Sequence, residues 1–387
     1  MTTRHRHHLI SRSIAAASLV FAMLAFLGAE ECLCAPNGSR PDFRQLLRSL
    51  GRYSPDPCGS PVFEGNLHSQ NLESLLFQDA AETLTKELNA TPTGAASPGD
   101  RATETLKRLE RASAEINAAW PEKNRFRFEI LDIPPALVVK MTFRTQETFF
   151  VFGVPEEDSG KPNRLWREVG SDEEFVENTG LRSGLYLYPL HRSASGHARF
   201  LARFDRSGCA GSSGVDYDAR EWDPAGIGSL NQIIKQSGAF GMDEEKGFEG
   251  VGELRTTGSH ITLPYCWFSV IDTWDNPSLC AADTYDISGD EVKFKARVYN
   301  RPDLVPVAKA IEYAQRRDYE AVRGYCASSK VARRLVRDIP PDIFADELRV
   351  SRTGSGKEHI EFGFETTFCF DVKKHAGRWR VAGFRAE

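Results

Sequence analysis

Apolar and polar positions along the 387 residues change rhythm three times. From 36 to 124 the rhythm is helical. Leu72, Leu75, Leu76, Ala80, Thr83 and Leu84 recur at steps of three and four, and so do Ala102, Leu106, Leu109, Ser113, Ile116 and Trp120. Pro121 ends the second run, and a small, flexible stretch, Ala90 to Gly99, separates the two. The pattern predicts a helical hairpin. Two amphipathic helices cannot bury both apolar faces alone, so the hairpin must dock on the region beyond residue 124.

From 125 to 300 the period drops to two. Phe126, Phe128 and Ile130 alternate with charged residues, and LVVKMTFR and ETFFVFGV read as strands around a short polar turn. LYLYPL and ARFLARF flank HRSASGH as a hairpin. VGELRTT and SHITLPYCWFSVIDTW flank Gly258 as another. In EVKFKARVY, Val292, Phe294, Ala296 and Val298 alternate with Lys293, Lys295 and Arg297, a half-buried strand. GSLNQIIKQSGAFG alone reads as a helix, with Ser229 as cap and Gly238 as stop. Many short strands between turn signals predict a sandwich or barrel-like domain.

From 301 to 387 helices give way to strands. Asp303 opens a helix with Val307, Ala310, Ile311 and Ala314 inward, Asp318 restarts it, and Ser328-Ser329 cap a third. Phe362, Phe364, Phe368, Phe370 and Val372 then share one face of a long strand, and GRWRVAGFR forms the last one. The run AIEYAQRRDYEAVRGYCA, followed by strands closing on GRWRVAGFR, resembles the nuclear transport factor 2-like, or cystatin-like, α+β superfamily. The resemblance implies a helix pair on a curved, cone-like sheet that can line a pocket. It also implies that acidic residues and histidines face that pocket where members are catalytic, and Asp318, Glu361, Glu365, His359 and His375 are the candidates here. The whole chain therefore reads as α+β: helical hairpin, β-rich domain, small α+β domain. Such a fold hosts enzymes and binding modules alike.

The first 35 residues stand apart. Arg4, Arg6 and Arg12 precede an apolar run, Ile14 to Leu27, that leaves through Gly28-Ala29. That is the plan of a secretory signal peptide of bacterial type, and the run is short of the roughly 20 residues a bilayer span needs. Cleavage after Ala29 and after Ala35 are both open. The expected compartment is the periplasm or the extracellular space, with no membrane span in the mature chain. Removing residues 1–35 takes away three arginines and two glutamates, moving net charge from −5 to −6. That mild acidity argues against a nucleic-acid partner, which requires a basic stripe.

Export changes how the eight cysteines read: as disulfides rather than metal ligands. Cys266–Cys280 is the first pairing, since 14 residues around a turn-rich stretch separate them. Cys326–Cys369 and Cys58–Cys209 follow by elimination. No Cys-x-x-Cys pair exists, and the sequence implies neither a resident metal nor a cofactor. His191 and His197 flank a tight loop without a third ligand by spacing.

Two acidic-aromatic stretches carry the ligand-binding candidates. VDYDAREWD supplies Asp216, Asp218, Glu221 and Trp222, with Asp223 beside them. The stretch from Trp267 to Glu291 supplies Trp267, Trp274, Asp275 and Asp286, with Asp272, Asp283 and Asp290. Clustered carboxylates can hold calcium. Aromatic faces beside carboxylates suit sugar rings, and a carboxylate pair about 5–10 Å apart could hydrolyse a glycosidic bond. The same residues also cap turns and fill β cores. AGSSG around Ser212 lacks the helix that a nucleophile elbow requires, and GSGK at 354–357 reads as a hairpin turn. With no connected catalytic set, the chain reads as a non-enzymatic binding or interaction protein of the cell envelope or beyond, its partner a glycan or another envelope protein. The alternative is a glycan-acting hydrolase.

Overall fold

Asp42 starts the described chain's first helix. Its carboxylate accepts from the Gln45 amide while the Gln45 side chain accepts from the Asp42 amide, a capping box that satisfies two orphan donors. The computed structural model describes residues 40–53, 64–90, 97–144, 146–155, 165–171, 181–207, 213–225, 230–240, 251–272, 277–341, 347–353, 357–363 and 366–387. The expected signal peptide, Cys32, Cys34, Cys58, Cys209, Ser212, Trp274, Asp275, Phe364 and Glu365 lie outside the described residues.

Contacts divide the chain into two compact units. One runs up to Ile130 and includes Met141–Phe150; the other joins Leu131–Lys140 to Val151–Glu387. The first holds three mutually packed helices, α1 (Phe43–Leu50), α2 (Glu64–Asn89) and α3 (Pro98–Ile116). The expected hairpin is thus α2 and α3, and α1 is an addition that covers it. Leu46, Leu47, Leu72, Leu76, Ala80, Leu84 and Leu106 are fully buried, so the helical stripe points inward as its spacing requires. Ser97 and Asp100 form a second capping box at α3. Phe126 packs edge-on against Phe43 at 5.3 Å, and its amide donates to the Ser113 hydroxyl.

Four strands follow, β1 (Arg127–Ile133), β2 (Ala136–Phe143), β3 (Gln146–Gly153) and β4 (Arg167–Ser171), in that sheet order. Each of the first three contributes residues to both units. β2 and β3 are buried along nearly their whole length.

The second unit is dominated by an eight-stranded sheet. Its strands are β5 (Leu181–Pro189), β6 (Ala198–Ser207), β7 (Ser213–Trp222), β8 (Leu230–Phe240), β9 (Arg255–Thr257), β10 (His260–Trp267), β11 (Leu279–Asp286) and β12 (Lys293–Tyr299). The path β12-β11-β10-β8-β7-β6-β5 is open, with β9 paired to β10. The described strands therefore do not close into a ring.

Two elements of this sheet depart from the sequence reading. The expected helix at GSLNQIIKQSGAFG is strand β8, paired antiparallel to β7 and meeting β10 at Ala239. A bulge passes over Ile233, which breaks the period-two pattern and mimics a helical step. Gly238 is no helix stop. A Cβ there would come within 2.6 Å of the Tyr265 Cβ, so glycine lets two strands approach. The expected half-buried strand β12 is exposed from Lys293 to Val298 on both faces.

Three helices, α4 (Val305–Gln315), α5 (Tyr319–Tyr325) and α6 (Ser329–Asp338), precede the sheet β13 (Glu347–Thr353), β14 (Lys357–Gly363), β15 (Thr367–His375) and β16 (Arg378–Ala386), ordered as in sequence. Asp318 and Ser328 cap α5 and α6. Asp303 does not cap α4; its carboxylate binds Arg301. The expected long phenylalanine strand is the hairpin β14–β15, turning between Gly363 and Thr367. Ile360, Phe368, Phe370, Val372, Val381 and Phe384 face the helices in one core with Val307, Ile311, Val322 and Leu335. Ile271 and Leu279 of the preceding region join that core.

Candidate functional site

The first acidic stretch lies on β7, and Asp216, Asp218 and Glu221 are each held by an arginine. Asp216 accepts from Arg206 at 2.6 Å. Asp218 accepts from Arg220 at 2.7 Å and from Gln232 at 2.9 Å. Glu221 lies directly across from Arg199 on β6 and accepts from its guanidinium; it also meets His197 Nδ1 at 3.2 Å. His197 Nε2 faces Asp223 at 3.3 Å. Arg199 is 1% exposed and donates to the carbonyls of Ile287, Gly289 and Asp290, so one buried guanidinium clamps the turn after β11 to β6. Trp222 offers no platform. It is buried, and its ring fills the space over Gly153, where a Cβ would come within 2.6 Å. Tyr217 is likewise buried, its hydroxyl donating to the Pro264 carbonyl, and burial raises its phenol above the ordinary range.

The second stretch behaves alike. Trp267 is half-buried between Tyr265 and Tyr299, at 5.9 and 6.0 Å. Asp272 accepts from the Ser269 amide and hydroxyl and from the Ser278 amide, which closes a turn. Asp283 is fully buried and takes Arg297 in a two-pronged bond at 2.6 and 2.7 Å. Asp286 accepts from Ser288 and pairs with Lys295, and those bonds hold its carboxyl below the usual range. Asp290 accepts from the Ser195 amide and hydroxyl. Asp216, Asp218, Glu221 and Asp286 each have a cationic partner of their own. His191 binds the Arg192 carbonyl of its own loop, away from the partners of His197.

Of the expected disulfides, Cys266–Cys280 is formed, joining directly opposed positions of β10 and β11. Cys326 and Cys369 are buried free thiols. Alternation explains the failed pairing. Phe368 and Phe370 point to the helices beside Cys326, so Cys369 between them points to the other face. Burial raises both thiols, Cys326 to about 12.

That other face of the C-terminal sheet carries a polar cluster. Two rungs of the β14–β15 ladder, His359 opposite Asp371 and Glu361 opposite Cys369, place four side chains on one face. His359 Nδ1 lies 2.9 Å from Asp371 and Nε2 lies 2.8 Å from Glu361. The Asp371 bond raises the imidazole above its ordinary value against the opposing effect of burial, with a lesser contribution from the Glu361 bond. The resemblance-based candidates His359 and Glu361 thus do meet. Asp318 is a helix cap.

In the first unit, Arg144 sits at the β2–β3 turn with φ +57° and reaches among the helices. It donates to the carbonyls of Leu50 and Tyr53 at 2.6 and 2.8 Å, lies 3.3 Å from Glu73, and stacks on Trp120 at 4.6 Å. Glu73 is 4% exposed, and burial outweighs Arg144 to push its carboxyl up to about 7. A cleft of about 410 Å3 opens here between Tyr53, Trp120, Asn124 and Arg144. Neither Arg144 nor Arg199 was legible as a site residue. Arg199 stands in an apolar strand and Arg144 in the turn after one, and a charge there is the signal the sequence offers.

The remaining surface feature is the sheet edge. β12 pairs with β11 on one side, and Phe294 and Val298 are 54% and 57% exposed. Lys295 and Arg297 turn back onto Asp286 and Asp283. The opposite edge, β5, is largely buried from Gly184 to Leu187, and Lys140 donates to its Leu185 carbonyl.

No family model matches the chain, and no curated protein matches it. Among the described residues, no helix is long and apolar enough to cross a membrane.

Proposed function

We propose that the protein is an exported, non-enzymatic interaction module of the cell envelope or extracellular space, and that β12 is where it takes its partner. The carrying observation is the edge itself. Among the described residues, the six-residue run Lys293 to Val298 is exposed, pairs with β11 alone and displays Phe294 and Val298. Edge strands of this kind are templates for strand addition, in which backbone bonds give affinity and alternate side chains give selectivity. The partner that fits is an extended polypeptide segment with an apolar residue on each face, one for Phe294, which the bulge at Lys295 turns to the face of Arg297, and one for Val298 on the other, with an acidic residue for Lys293. The occupied carboxylates of the two acidic stretches support this reading over glycan hydrolysis. The signal-like first 35 residues support export.

The test is site-specific photo-crosslinking from position 294 or 298 in the producing cells, with position 330, on the exposed start of α6, as control. The expected result is one protein adduct formed from 294 and 298 but not from 330, lost when Val298→Lys is combined with crosslinking from 294. Amides 293–299 should gain protection from hydrogen exchange in the purified complex. Equal adducts from all three positions, or none from the edge, overturn the proposal.

A further inference from the structure

The polar face of the C-terminal sheet has the makings of a metal site. His359, Glu361 and Cys369 each offer one ligand atom, and all three atoms lie within 4.8 Å of one another. Nothing about the arrangement is a surface accident of loops. Glu361 and Cys369 oppose each other across the ladder, His359 and Asp371 form the next rung, and strand alternation sends all four side chains the same way. The backbone thus fixes the set.

The surroundings add a second line. A carboxylate on the far nitrogen of a ligating histidine fixes the ring and its tautomer. Asp371 does this for His359: its bond to Nδ1, at 2.9 Å, leaves Nε2 turned toward Glu361. Room for Asp371 is made by Gly383 on β16, directly across from it. A Cβ at Gly383 would come within 2.7 Å of the Asp371 carboxylate. The β15–β16 register shifts immediately after Asp371, between Asp371 and Val372, and bulges of this kind re-aim side chains. Cys369 is 3% exposed and belongs to no disulfide, while the Glu361 and Asp371 side chains are 39% and 54% exposed. The site is dry at the sulfur and open toward the carboxylates.

We infer that His359 Nε2, Glu361 and the Cys369 sulfur form a three-ligand site for a divalent cation of zinc type, with Asp371 orienting His359 and a fourth position facing solvent. One sulfur, one imidazole and one carboxylate suit a borderline ion such as Zn2+ and are poorly matched to calcium or magnesium, which take oxygen. Zinc bonds of roughly 2.0–2.3 Å set tetrahedral ligand atoms about 3.3–3.8 Å apart. The set therefore has to draw in, and the His359–Glu361 contact has to open slightly as the ion takes the place of the proton between them. This goes beyond strand addition at β12 and is independent of it, since the two features lie on different sheets.

The test is titration of the purified protein, with its Cys266–Cys280 bridge intact, with Co2+ alone, followed by displacement with Zn2+. One equivalent should bind with a thiolate-to-cobalt charge-transfer band in the near ultraviolet, and Zn2+ should abolish the band. Cys369→Ser should remove the band, Asp371→Asn should weaken binding roughly 10–100-fold without changing stoichiometry, and Cys326→Ser should change neither. No stoichiometric binding, or a band that survives Cys369→Ser, overturns the assignment. If Cys369→Ser fails to fold, Glu361→Gln and Asp371→Asn carry the decision, since both side chains face solvent; unchanged affinity in both overturns it.

Discussion

Arg144 and Arg199 solve one problem in two ways. Each guanidinium is buried, with its side chain 1% and 0% exposed, and each satisfies backbone carbonyls that no strand or helix pairs. Arg144 holds Leu50, the last residue of α1, and Tyr53 just beyond it. Arg199 holds Ile287, Gly289 and Asp290 after β11. They differ in their carboxylates. Glu73 is deeply buried, and its contacts are Arg144 and a long one to Ser69 at 3.5 Å, so desolvation prevails and its pKa rises to about 7. Glu221 sits in a ladder position facing Arg199 and is also met by His197. A buried arginine is thus a fastener for backbone first, and at Arg144 the depth at which Glu73 is buried makes the fastener respond to pH.

The largest effect should separate the two. Arg199→Met strips three carbonyls of their donor and strands Glu221, and it should cost about 3–5 kcal/mol in urea unfolding. Arg144→Met takes a donor from two carbonyls, of which that of Leu50 keeps the Tyr53 amide, while Glu73 can keep a proton; the cost should be smaller, about 2–3 kcal/mol. The reverse order would break the comparison.

The second test uses pH. The pKa of Glu73 lies above its ordinary 4.5 in the folded chain, so folded protein holds a proton that unfolded protein releases between about 4.5 and 7. Stability from this group is full below that window and falls as pH rises through it. Wild type should lose roughly 2–3 kcal/mol relative to Glu73→Gln between pH 4.5 and 7. A wild-type–variant difference constant across the window would refute the role given to Glu73. The smallest effect is expected for His197→Ala. Arg199 still holds Glu221 there, so the loss should stay below about 1 kcal/mol by the same unfolding measurement; a loss rivalling Arg199→Met would mean that His197 carries the clamp.

Legibility followed periodicity and failed where register decides. Leu72, Leu76, Ala80 and Leu84 announced α2 because nothing interrupts their spacing. α1 escaped because eight residues give little periodicity; Asp42 with Gln45 was its readable signal. β8 was misread because the bulge at Ile233 puts two isoleucines side by side, and the pairing with β7 and β10 overrides local preference. In the acidic stretches, Asp218 with Arg220 was readable, since residues two apart in a strand share a face. Arg199 with Glu221 was not, because that pair needs the β6–β7 register. The same holds for His359, Glu361 and Cys369. FGFETTF carries a weak turn signal, so one continuous strand hid the fold-back that brings the rungs together.

The Cys266–Cys280 bridge has a mechanical meaning. It ties β10 to β11, one strand in from the edge, while β12 is held to β11 by hydrogen bonds, the Lys295–Asp286 and Arg297–Asp283 ion pairs and the Tyr285–Phe294 ring contact, with no covalent tie. A pull delivered through a segment seated on β12 would part the β11–β12 seam first and stop at a covalent rivet. The edge can fray and re-form under tension while the strands behind it keep their alignment.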